Sequence, residues 1–374
     1  MSSCGVIPRK TDMTRPAVSI LIDTYNHERF IEQAIVSVLD QDFPASEMEI
    51  LVVDDGSTDR TPEIIRKFAP RVRYLRKENG GQASAFNFGI PQAQGEIIAF
   101  LDGDDWWIKS KLGVVVEAFA QNPDVGAVGH GFHVADEKGT LKQTIVPARR
   151  LRFSLRTHED TERFTQLRCF LGTSKVAYRC RIARQLLPVP EVLRFEADEY
   201  LWTLAAALAD ALVVDLPLFV YRFHASNNYM QSSQDVQALR RRLAVMEGLL
   251  DHLTPTLADL GVSAEIAGVA LEQIRFDVRR LRLMIDGGTP WETYSLERAE
   301  GRRAYRSTTL GYQAYKHISL LLALVTPPRL YYRLKYSYQA NNMRRFRSWL
   351  GEPQPKAEVH ETHFTPEALP NGGK

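Results

Sequence analysis

The sequence predicts an α/β protein, a mostly parallel central sheet flanked by helices with a helical region C-terminal to it. Two observations carry this. Short runs rich in β-branched residues alternate with segments of helical period up to residue 102, which is the rhythm of βαβ units. Beyond residue 233 the strand signal fades, and Leu, Val and Ile recur on one helical face.

In order, residues 1–16 are polar, lack the apolar core of a signal peptide and read as a disordered leader. Val18-Ser19-Ile20-Leu21-Ile22 suits a buried strand, and Phe30, Ile31, Ala34, Ile35, Val38 and Leu39 then recur at helical spacing. Residues 49–53 form a second strand, followed by a helix with Thr61 as N-cap and Pro62 at its first position. Residues 72–75 are a third strand, 81–90 loop and helix, and 96–101 a fourth, with a helix expected to begin near Trp106. Val125 to Asp136 reads as a strand ended by the turn Glu137-Lys138-Gly139, and 140–170 as loop with a helix near Glu162–Phe170. Residues 198–209 are helical and 211–223 extended. A strongly helical stretch from Ser233 to Asp286 breaks at Gly287-Gly288-Thr289-Pro290 and resumes after Trp291. The domains expected are thus 17–235, a helical extension over 236–350, and a Pro- and Glu-rich disordered tail over 351–374.

Composition is that of an ordinary globular chain with a net charge of +2. The charge is unevenly spread. Between Gly301 and Leu350 there is no Asp or Glu, against ten Lys and Arg. Three cysteines, Cys4, Cys169 and Cys180, have neither metal-ligand spacing nor an even count for a disulfide framework, so a reducing cytoplasm is expected. The longest apolar run, Ile318 to Val325, is far short of the roughly 20 residues that a spanning helix needs.

Ligands of open parallel sheets bind at the carboxyl ends of the strands. Here those ends carry Asp23-Thr24-Tyr25-Asn26, Asp54-Asp55-Gly56-Ser57 and Asp102-Gly103-Asp104-Asp105. So many carboxylates at one edge are costly unless cations or hydrogen-bond donors join them. Carboxylate oxygens are natural ligands of hard divalent ions. An acidic turn capping the next helix is the structural alternative for Asp102 to Asp105.

V-S-I-L-I-D-T-Y-N, V-V-D-D-G-S-T-D, N-G-G-Q-A-S-A-F-N-F-G and G-E-I-I-A-F-L-D-G-D-D follow one another at close spacing. In these motifs the chain resembles the bacterial-type family 2 glycosyltransferases of the GT-A fold, strongly over about residues 17–135. The likeness returns at F-E-A-D-E-Y-L-W (195–202) and Y-R-F-H (221–224). The resemblance implies an enzyme that moves a sugar from a UDP- or dTDP-linked donor to an acceptor hydroxyl with inversion, using Mg²⁺ or Mn²⁺. It implies that Tyr25 packs on the base, that Thr24 and Asn26 shape the same pocket, and that Asp55 accepts a hydrogen bond from the base. Asp102 is similar to the first acid of the family's D-x-D motif, near ribose and metal, and Asp104 to the second, a direct metal ligand; Asp105 reads as a helix cap. Asp198 corresponds to the base that takes the acceptor's proton, with Glu196 and Glu199 as rivals because Ala197 replaces a usual Glu. An acidic first helical turn is the plain alternative for Asp198. His224 corresponds to a metal ligand or diphosphate contact. Asp23 stands where many relatives have proline, and Phe86 where many have a basic residue.

Pro327-Pro328-Arg329-Leu330-Tyr331-Tyr332-Arg333-Leu334-Lys335-Tyr336 mixes cations with aromatics, which suits an anionic membrane surface through 329–350 and a glycan or lipid-linked acceptor on the cytoplasmic leaflet. A solvated helix face or an oligomer contact would give the same composition. No nucleic-acid module is legible. A catalytically inactive sugar-nucleotide or glycan-binding protein is the rival from another class. A sugar nucleotidyltransferase ranks lower, since the segment after strand one lacks a Gly-rich phosphate loop.

Overall fold

Val18–Thr24 (β1) is buried at every position except Asp23, as expected of a strand covered on both faces. A computed structural model describes residues 15–224, 235–304, 310–340 and 359–363. After β1 come Ile31–Leu39 (α1), Met48–Asp54 (β2), Thr61–Arg66 (α2), Arg73–Arg76 (β3), Gln82–Gly89 (α3) and Ile97–Asp102 (β4). β1 pairs in parallel with β2 on one side and β4 on the other, and β3 extends the sheet in parallel beyond β2. This is the βαβ half that the alternating pattern predicts.

The second half is mixed. Trp106–Trp107 (β5), Lys111–Gln121 (α4), Val125–Asp136 (β6), Leu141–Pro147 (β7), Leu151–Phe153 (β8), His158–Leu167 (α5) and Val176–Arg179 (β9) follow. β9 inserts antiparallel between β4 and β6 and so joins the halves. After Cys180–Gln185 (α6) and Ala197–Leu208 (α7), the long strand Asp210–Phe223 (β10) runs parallel to β6. Register shifts in that pairing around Pro217 mark where proline withdraws a ladder donor. β10 also carries β5 and β8 antiparallel.

Several local expectations change. The residues near Trp106 form β5 instead of a helix, and α4 starts only at Lys111, so Asp105 is not its cap. Thr61 opens α2 itself, and the capping oxygen is Asp59 Oδ1, which accepts from Thr61 N at 2.9 Å. The helix expected near residue 162 begins at His158, with the Thr157 hydroxyl accepting from Asp160 N.

The extension contains Val236–Asp259 (α8), Ala264–Ala270 (α9), Glu272–Ile285 (α10), Pro290–Ala304 (α11), Leu310–Val325 (α12) and Pro328–Ala340 (α13). Leu249, Leu253, Leu257, Leu271 and Ile274 merge with the core of the sheet. Phe276, Leu283, Leu296, Ala323, Tyr331 and Tyr332 make a second, smaller core from α10 to α13. Within the stretch read as a disordered tail, Val359–His363 (β11) lies antiparallel to β7. The rest of 351–374, residues 1–14 and residues 341–350 lie outside the described residues.

Candidate active site

The register of the parallel strands gathers the polar ends. Asp23 stands opposite Asp102 and Val53, and Thr24 opposite Asp54. The last β1 carbonyls then fasten both neighbouring loops: Gly103 N donates to Asp23 O and Asp55 N to Thr24 O, each at 2.9 Å. Gly103 is required by close approach, since a Cβ there would lie 2.6 Å from Thr24 Oγ1 and 2.8 Å from His27 Nδ1.

Asp54 and Asp55 divide their tasks. Asp54 is fully buried and accepts from Ser57 N at 2.8 Å and Tyr74 Oη at 2.6 Å, so it shapes the loop. Asp55 Oδ1 accepts from Lys77 Nζ (2.8 Å) and Gly80 N (2.9 Å), and Oδ2 from Gly81 N (2.7 Å). A carboxylate oxygen has two lone pairs, so Oδ2 keeps capacity for one more donor. Tyr25 is 44% exposed at the same edge, which excludes a core role. Asn26 takes the left-handed conformation (φ 55°), donates its N–H to Ser57 Oγ and accepts from Thr58 N at 2.8 Å. Asn26 thus shapes the site by pinning the loop after β2.

The acids of β4 have distinct surroundings. Asp104 Oδ2 meets His224 Nε2 at 3.0 Å, with His27 Nε2 at 3.9 Å. Burial works to raise the Asp104 carboxyl, but the two histidines outweigh it and hold the group below its usual range. Asp102 is pushed up to about 8 by burial, with Asp104 and Asp198 adding repulsion. Asp23 is raised well above its normal value by burial and then by Asp102 and Asp104, and its Oδ1 is buried without a partner. Asp105 is a structural tie: it accepts from Ser174 Oγ at 2.7 Å and Arg222 N at 2.9 Å, joining β4 to β10 and the turn before β9.

Asp198 comes to this cluster from α7, for its charge acts on Asp23 and Asp102. Its two rivals are engaged elsewhere. Glu199 is buried against Arg168 Nη1 at 2.7 Å, and Glu196, in the left-handed conformation, pairs with Arg242 at 3.2 Å. Asp198 Oδ2 accepts from Thr173 N at 3.1 Å, and burial raises its carboxyl despite that bond and the charge of Lys175. Gln82 links the parts: its Nε2 donates to Thr173 Oγ1 (3.2 Å) and its Oε1 accepts from Ala197 N (2.9 Å).

Every expected site residue except the base lies at the end of, or just after, β1, β2, β4 and β10, and Asp198 joins them from α7. The sequence reading missed His27, Ser174 and Lys175. His27 immediately follows the D-T-Y-N motif and was accessible from it. Ser174 and Lys175 sit in a weakly patterned segment, and only the placement of β9 beside β4 brings them in. Phe86 belongs to the core, edge-on to Phe100, so the missing cation there is a packing choice.

The donor set suits a divalent ion shared with a ligand. Asp104 and His224 offer an oxygen and a nitrogen 3.0 Å apart, with Asp102 and His27 flanking. Among the described residues no three His, Cys, Asp or Glu side chains are close enough to hold a metal alone.

The model of glycosyl transferase family 2 matches residues 19–186. An uncharacterized glycosyltransferase of Nostoc sp. is 34% identical over 255 residues, covering 67% of this chain and 78% of that protein. The uncharacterized glycosyltransferase EpsJ of Bacillus subtilis is 33% identical over 216 residues, 55% of this chain and 61% of its own length. Among solved structures, residues 1–349 of Staphylococcus aureus TarS with UDP-GlcNAc align over 86% of this chain and 91% of that one, at 18% identity and a TM-score of 0.48. The four ordered motifs, the family match and the Nostoc relative together assign the chain to the family 2 glycosyltransferases.

Proposed function

We propose that the chain transfers a hexose from a UDP- or dTDP-linked donor to an acceptor hydroxyl by metal-dependent inverting displacement. The observation that supports this most is Asp198, which lacks the arginine partners of Glu196 and Glu199 and lies close enough to Asp23 and Asp102 for its charge to act on both. In the transfer, the acceptor O–H bond breaks and its proton passes to an Asp198 carboxylate oxygen. The acceptor oxygen bonds to the sugar's anomeric carbon as the bond from that carbon to the diphosphate breaks, which inverts the centre. Burial makes Asp198 a stronger base than a solvated aspartate, as general base catalysis near neutral pH requires. Tyr25 stacks on the base, Thr24 and Asn26 complete that pocket, and Asp55 Oδ2 accepts from the base N–H. Asp104, Asp102 and His224 hold the Mg²⁺ or Mn²⁺ ion, which when bound neutralises charge on the departing diphosphate.

The product belongs to cell-surface polysaccharide or glycolipid assembly, with a glycan or lipid-linked acceptor and the enzyme peripheral on the cytoplasmic face of the membrane. The acid-free stretch 301–350 supports that location, and none of the described helices is long and apolar enough to cross a membrane. The test is Asp198→Asn: transfer should fall at least a thousandfold while affinity for the nucleotide sugar stays within about threefold. A variant that retains transfer removes Asp198 from the base role.

A further inference from the structure

The second core leaves one helix face uncovered. On α12, Ile318, Leu321, Leu322 and Val325 are 59%, 63%, 51% and 76% exposed, and they stand at the i, i+3, i+4, i+7 spacing of one face. The opposite face is satisfied: Ala323 is buried in the second core, and Ser319 Oγ hydrogen-bonds Tyr331 Oη at 2.9 Å. Other exposed large apolar side chains in the described chain are mostly solitary and nearer 40% exposed. A ridge of four such aliphatics is the kind of patch that marks an interaction surface.

Its setting identifies the partner. Leu330 and Leu334 of α13 are also about half exposed, and Arg329 at the start of that helix donates to Ile285 O at 2.6 Å. Lys335 is neutralised by Glu297 at 2.6 Å and contributes nothing outward. Segment 301–350 contains ten Lys and Arg and no acid, so two copies meeting along it would bring like charge together. An anionic bilayer attracts the same charge and also solvates the aliphatics. α11, which packs against α12, begins with another exposed apolar side chain, Trp291. That indole is 63% exposed and suits the headgroup level.

We propose that α12 is a membrane-insertion ridge: Ile318, Leu321, Leu322 and Val325 enter the acyl boundary of an anionic leaflet, and the net positive charge of the acid-free segment 301–350 favours its headgroups. This deepens the membrane-side reading above and moves the insertion element from 329–350 to the preceding helix. The test is co-sedimentation of the full chain with phosphatidylcholine vesicles with and without phosphatidylglycerol. Wild type should bind the anionic vesicles, and added salt should weaken that binding. Leu321→Asp/Leu322→Asp, and independently Val325→Asp, should reduce it about tenfold or more with an unchanged melting temperature. Both variants should bind the nucleotide sugar like wild type in vesicle-free solution, so failure here is separable from failure of the transferase reading. Absence of vesicle binding by wild type, or undiminished binding by the folded variants, overturns the proposal. So does a concentration-dependent dimer in sedimentation velocity that the substitutions abolish.

Discussion

Replacing Gln82 by alanine removes two hydrogen bonds that fix the position of Asp198. One is accepted from Ala197 N at 2.9 Å, the other donated to Thr173 Oγ1 at 3.2 Å. Ala197 is fully buried, so its N–H loses its partner without gaining water, at a cost of about 1–3 kcal/mol. Thr173 is nearly buried, and its hydroxyl adds about 0.5–1 kcal/mol. A total of about 1.5–4 kcal/mol is a substantial share of the stability of a typical domain. The same bonds anchor the first turn of α7 and the loop whose amide binds Asp198, so Gln82→Ala should lower kcat by about 10- to 100-fold with donor KM little changed. Gln82→Glu separates position from charge. It still accepts from Ala197 N, so that part of the stability should recover, whereas the single Thr173 hydroxyl proton is already shared with the Asp198 side chain. The new charge beside Asp198 raises that carboxyl further, so the acid limb of the kcat–pH profile should move to higher pH. Urea denaturation and initial-rate profiles of both variants measure this. A Gln82→Ala enzyme with wild-type kcat, or a Gln82→Glu profile without the shift, refutes the reasoning.

Tyr25→Ala should leave stability within about 0.5 kcal/mol, because the side chain is exposed, yet weaken nucleotide binding by about 1–3 kcal/mol, the usual worth of base–aromatic stacking, as calorimetric titration would show. Arg168→Met strands Glu199 as a buried charge and should cost about 3 kcal/mol in chemical denaturation, most of it recovered in Arg168→Met/Glu199→Leu. Glu196 is raised from 4.5 to about 7 by burial, which Arg242 only partly offsets. The folded state therefore holds a proton that the unfolded chain releases, and this contribution is complete below pH 4.5 and lost as pH rises through 7. Glu196→Gln should remove up to about 3 kcal/mol of the stability change between pH 5 and 8.

The first half of the fold was legible because its physics is local. β1, β2 and β4 are apolar runs buried on both faces, each followed by a polar loop, and the strand-end rule placed Asp55, Asp102 and Asp104 at one edge. Asp198 was named through a short motif, but that its rivals Glu196 and Glu199 are paired with Arg242 and Arg168, 46 and 31 residues away along the chain, was not legible locally. The role of Asp105 misled for a similar reason: its partners Ser174 and Arg222 come from remote segments, and no local pattern announces them. The strands of 140–170 were missed, while its helix was read, because β7 and β8 are paired at the sheet's margin, where half-exposed strands carry weak alternation. The ridge on α12 was visible as an apolar run, but its exposure was not, since a periodic face looks alike whether a neighbour covers it or not.

The claim on which the rest depends is that the acids at the ends of β1, β2 and β4 form one site binding metal and nucleotide together. Calorimetric titration of UDP into wild type and Asp104→Asn, with and without Mn²⁺, addresses it directly. Wild type should bind UDP at least tenfold more tightly with Mn²⁺, and the folded variant should lose that gain while keeping its metal-free affinity. An Asp104→Asn protein that retains the Mn²⁺-dependent gain would contradict the account.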